Sequence, residues 1–136
     1  MKSRGESQIR LKKFQVDEKR RQVTQIEMMI ADFERMAAEL DQQIEIEQQK
    51  TGISDTSHFA YSTFAKAAMV RRDNLLASAA DMRDQLETAQ DGLTEAVEEL
   101  KRVELLDQRE QGRDVATGTD DGPGEFIDVN KLRRRR

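Results

Sequence analysis

The chain has 136 residues, 37% of them charged and 4% aromatic, with a net charge of -4, one histidine and no cysteine. That composition leaves room for one domain but excludes a disulfide framework and a thiolate metal site, and it offers too few large apolar residues for a thick globular core. No apolar run approaches the ~20 residues of a membrane span, and the charged N-terminus lacks the apolar centre of a signal peptide, so the cytoplasm is the expected compartment.

From Ile9 the apolar residues recur every seventh position, at Val16, Val23, Ile30, Ala37 and Ile44. With Ile9 as heptad position a, the d positions are Lys12, Lys19, Ile26, Phe33, Leu40 and Glu47. Between them lie good helix formers, so the pattern predicts a helix over about 6–49, with Ser3 or Ser7 as its cap. Its seam is well made from Val23 to Ile44 and poorly made before that.

The stretch KTGISDTSHFAYS predicts a turn over about 50–61. Gly52 suits the left-handed residue that ends a helix, and Ile53 suits a contact back onto the last turn. Ser54, Asp55, Thr56 and Ser57 are alternative caps for the next helix, whose start is open between Asp55 and Ser62. His58 is expected to cap or face solvent. Phe59, Tyr61 and Phe64 crowd this tip and either cover the end of the seam or form an aromatic anchor for a partner.

A second helix is predicted over about 62–111, with one stripe at Ala65, Ala79, Leu86, Leu93 and Leu100, broken at Arg72, and another at Ala68, Leu75, Met82, Ala89, Ala96 and Val103. The fold expected is all-α, with the two helices folding back into an antiparallel coiled-coil hairpin over residues 1–111. Size complementarity favours the register in which Phe33 meets Ala79, Ile30 meets Met82 and Ala37 meets Leu75. Arg72 then falls beside Leu40, with its stem along the leucine and its head in water. Residues 112–136, rich in glycine and ending in four arginines, read as a disordered, flexible tail.

That register leaves Leu93 opposite Lys19 and Leu100 opposite Lys12, and it leaves Leu11, Phe14, Val97 and Leu106 off the seam. Residues 1–21 also hold eight basic side chains against three acidic ones, whereas 51–110 hold seven against twelve. The candidate partner surface at this end is Arg10, Lys12, Lys13, Lys19, Arg20 and Arg21 with Leu93 and Leu100; the candidate at the tip is Phe59, Tyr61 and Phe64. The rival readings are charge matching between the two helices, fraying of the ends, and two hairpins pairing as a homodimer. Glu98 and Glu99 point apart on a helix and form no dyad; no catalytic, cofactor-binding or metal constellation is expected, and neither is a nucleic-acid partner.

The segments IRLKKFQVDEKRRQVTQIEMMIADFERM, SDTSHFAYSTFAKAAMVRRDNL and EELKRVELLDQRE resemble the FliJ family of flagellar type III export proteins, more narrowly its alphaproteobacterial branch. HFAYSTFAKAA is the most specific part, because no heptad rule demands it. The glycine-rich tail has no counterpart in that family. The resemblance implies a non-enzymatic cytoplasmic stalk that docks in the export ATPase ring with the end carrying its termini. It also implies contacts with the cytoplasmic domain of the export gate and with export chaperones. The alternatives are a hairpin factor inserting into the RNA polymerase secondary channel, disfavoured by a tip with only Asp55 as an acid, and a coiled-coil scaffold on a membrane surface.

Overall fold

The computed structural model describes residues 4–118, with side chains described as far as Arg113. It contains two long helices that pack antiparallel against each other, α1 (Arg4–Thr51) and α2 (Thr63–Gly118). Helix α1 therefore begins inside the first stretch of basic residues. Ser7 lies within it, and Ser3 lies outside the described residues. Glu6 in its first turn and Lys50 in its last both complement the helix dipole.

Helix α1 ends as the sequence predicts. Gly52 has φ +72°, and its N–H donates to the Gln48 carbonyl at 2.9 Å. This is the single-bond left-handed cap, in which glycine avoids the Cβ clash that disfavours other residues. Helix α2 starts at the later of the two expected sites. Ser62 is its N-cap: the hydroxyl oxygen accepts the Ala65 N–H at 3.2 Å, and the same hydroxyl donates to Glu47 Oε1 on α1 at 3.1 Å.

Helix α2 does not stop at residue 111 but continues to Gly118. Gly112 is no barrier, because a single glycine weakens a helix by about 1 kcal/mol without blocking its backbone bonds. The first proline, Pro123, comes later still. The remainder of the expected tail, 119–136, lies outside the described residues.

The chain divides into two compact units, one of residues Lys19–Leu93 and the other of residues up to Glu18 with those from Thr94 on. In the first, the a positions Val23, Ile30, Ala37 and Ile44 of α1 are buried, as are Ala65, Ala68 and Ala79 of α2, while the d positions Ile26, Phe33 and Leu40 are half-buried. Burying a valine or isoleucine is worth roughly 1.5–3 kcal/mol, so this row is the main apolar contribution of α1. Beside the turn, Ile44, Tyr61, Ala65 and Ala68 form a cluster with Leu40, Ile53 and Met69 packed against it. The alanines leave room for the helices to approach.

Arg72, the break in the stripe, sits partly buried, with Nη1 donating to Asp41 Oδ1 at 2.8 Å and Nη2 lying 3.0 Å from Asp73 Oδ1. Asp41 follows Leu40, so the register is as expected, but the Arg72 head is held by the two carboxylates instead of lying free in water. Arg83 also pairs across to Glu34.

In the other unit, Val16 and Val103 are buried and Ile9, Ala96, Val97 and Leu100 are half-buried. Gly5 packs so closely on Asp107 that an added Cβ would stand 1.9 Å from its Oδ1. Lys12 Nζ pairs with Glu99 Oε1 at 3.6 Å, and Glu99 also accepts from Arg102. The Arg102 contact, followed by Lys12, holds the Glu99 carboxyl below its ordinary pKa.

Candidate docking surfaces

The tip carries its own scaffold of hydrogen bonds. Asp55 Oδ1 accepts from the Ser57 N–H at 3.0 Å and from the Ser57 hydroxyl at 2.7 Å, which lowers the Asp55 pKa. His58 Nδ1 accepts the Ala60 N–H at 3.0 Å, so this histidine caps the turn. The backbone adds His58 N–H to the Asp55 carbonyl and Tyr61 N–H to the His58 carbonyl.

The three tip aromatics do not act as a set. Tyr61 is buried, 5% exposed, and its hydroxyl accepts a hydrogen bond from Gln48 Nε2 at 2.7 Å. Its placement among partner-binding residues is therefore corrected: the ring closes the end of the seam, because it falls on the cluster of Ile44 and Ala65. Phe59 is 97% exposed and stacks on His58 with ring centroids 4.8 Å apart, and Phe64 is 57% exposed. Only these two offer an anchor at the tip.

The basic residues of α1 also divide. Arg10 and Lys13 are exposed and have no hydrogen bond or ion pair among the described residues. Arg20 and Arg21 are exposed but already interact with other groups. Lys12 is engaged by Glu99, and the stem of Lys19 lies over Gly92, its Cδ 3.8 Å from where a Cβ would stand. Lys12 is therefore corrected from a free docking cation to one paired across the seam, whereas the Lys19 ammonium has no ion pair among the described residues. Leu93 and Leu100 are half-buried, each next in sequence to the residue its expected lysine touches.

Leu11 and Phe14, at 53% and 58% exposure, lie beside Arg10 and Lys13 on α1, while Leu105 and Leu106 are exposed on α2. The sequence reading passed over Leu105 and also over Met28, Met29, Ile46, Val70 and Leu76, all exposed. Their heptad positions outside a and d carry the signal that would have found them.

Among the described residues, no group of three histidine, cysteine or acidic side chains is placed to hold a metal, and no helix is long and apolar enough to cross a membrane. No family model, no curated protein and no solved structure matches the chain.

Proposed function

We propose that this chain is a non-enzymatic, cytoplasmic coiled-coil component of a flagellar type III protein export apparatus. It docks in an export ATPase ring and contacts the export gate and export chaperones. The reading rests on the resemblance to the FliJ family carried by the turn segment HFAYSTFAKAA and on the antiparallel two-helix fold.

The observation that best supports a docking end is the first turns of α1. There, uncommitted Arg10 and Lys13 flank exposed Leu11 and Phe14. Exposed apolar side chains beside basic charge suit a protein partner with an apolar, partly acidic lining. Phe59 and Phe64 are the surface for a second partner at the tip.

The test is co-purification from a flagellated host. The wild-type chain retrieves an export ATPase, and a variant with Arg10→Glu, Lys13→Glu and Phe14→Ala loses it while keeping its helix content. Lys12 is left unchanged, because its reversal would also break the pair with Glu99. Retrieval of RNA polymerase or of anionic lipid in place of an ATPase overturns the reading.

A further inference from the structure

Three acids of α1, Glu27, Glu34 and Asp41, stand one heptad apart in one row, and two arginines of α2 reach them: Arg83 pairs with Glu34 and Arg72 with Asp41. Glu27, the next acid in the row, is exposed and has no hydrogen bond or ion pair among the described residues. If α2 moves along α1 by one heptad, Arg72 reaches Glu34 and Arg83 reaches Glu27, so both pairs are remade with the same chemistry. A seven-residue step also returns each side chain to the same face of its helix.

The turn is built for the same step. The chain spends 11 residues between Thr51 and Thr63, more than the roughly 2–5 that join most antiparallel helices. Within them stands a second cap, Asp55, one heptad before the Ser62 cap in use. Asp55 Oδ1 already accepts the Ser57 N–H at 3.0 Å, the bond an N-cap makes to the second residue of its helix. The His58 N–H donates to the Asp55 carbonyl at 3.1 Å and the Tyr61 N–H to the His58 carbonyl at 3.0 Å, so residues 55–61 are already wound in successive tight turns. We propose that the hairpin has a second register, one heptad from the one observed, in which α2 begins at the Asp55 cap and Arg72 and Arg83 step to Glu34 and Glu27.

The seam tolerates the step. Ile26 then meets Ala79, Ile30 meets Leu75, Val23 meets Met82, Ala37 meets Ala68 and Leu40 meets Ala65, all apolar. Tyr61 falls opposite Ile44, with which it already clusters. The chief losses are Phe33 against Arg72, Lys19 against Leu86 and the pair of Lys12 with Glu99, and they keep the observed register the major one. The step shortens the connection to residues 52–55 and carries α2 about 10.5 Å along α1. Phe59 lies in the segment that changes from turn to helix, so a partner that holds this exposed ring in one form selects the register. The slide is independent of the export reading.

The chain has no cysteine, so introduced pairs report register cleanly. In dilute protein under glutathione exchange, Ala37→Cys with Leu75→Cys closes in the observed register, and Ala37→Cys with Ala68→Cys closes in the second. Both intramolecular disulfides are expected, the first with the higher effective concentration. Asp41→Asn with Ser62→Ala weakens only the observed register and should raise the second disulfide relative to the first by about fivefold or more. Glu27→Gln weakens only the second register and should lower its disulfide by about twofold. Val23→Cys, paired with Ala89→Cys for the observed register and with Met82→Cys for the second, repeats the comparison at a site that does not depend on Ala37. Closure of the observed-register pairs without either second-register pair overturns the proposal. So does a second-register disulfide that ignores both Glu27→Gln and the Asp41→Asn, Ser62→Ala variant, because such closure comes from fraying.

Discussion

Gln48 near the end of α1 donates a 2.7 Å hydrogen bond to the hydroxyl of Tyr61, one residue before the cap of α2. The bond spans the turn and holds the one buried aromatic ring of the tip. Tyr61→Phe should cost about 1 kcal/mol in urea unfolding, the usual net worth of such a bond. Tyr61→Ala should cost roughly 3 kcal/mol or more through the cavity it leaves. Phe59→Ala, at a fully exposed ring, should move stability by less than about 0.5 kcal/mol. A Phe59→Ala loss as large as that of Tyr61→Ala would reverse the assignment of core and surface at the tip.

The two caps of the turn predict separable losses. Ser62→Ala removes the acceptor for the Ala65 N–H and should destabilise by about 1 kcal/mol. Gly52→Ala meets no steric neighbour, so its cost comes only from the positive φ, roughly 1–2 kcal/mol. Thermal melts of the two single variants and the double variant check this.

Gly5 and Asp107 should be coupled. An added methyl at Gly5 collides with the end of the Asp107 side chain, which must swing away. Gly5→Ala alone should gain less than the ~1 kcal/mol that alanine usually adds to a helix interior, or lose stability outright. With Asp107→Ala in place the same substitution should recover that gain. A double-mutant cycle reads the coupling, and additivity would show that the approach is looser than described.

Acid should loosen the tip. Hydrogen bonds from Ser57 hold the Asp55 carboxyl below its ordinary pKa, as Arg102 and Lys12 do for Glu99. A carboxylate with a lowered folded pKa adds stability that is fully present above its unfolded pKa and is lost as pH falls through the folded value. The unfolding midpoint should therefore fall on acidification through the low-pH carboxylate range. Asp55→Asn should flatten part of that slope, and an unchanged slope in this variant would remove Asp55 as a contributor.

The sequence by itself determined the pair of helices, their seam and their register. A seven-residue apolar repeat allows one stripe to be buried, and Gly52 marks where the first helix ends, while the start of the second at Ser62 came from the structure. The sequence also placed Arg72 at the seam, whereas the carboxylates of Asp41 and Asp73 that take up its head were visible only in the structure. Tertiary structure alone decided which tip aromatic is core, because Tyr61 and Phe59 differ in burial only through where the turn points them. The same holds for the basic residues: Lys12 is paired with Glu99, while Arg10 and Lys13 have no partner among the described residues. Heptad letters assign a face, but which charge finds a partner depends on what the opposing helix presents at that level.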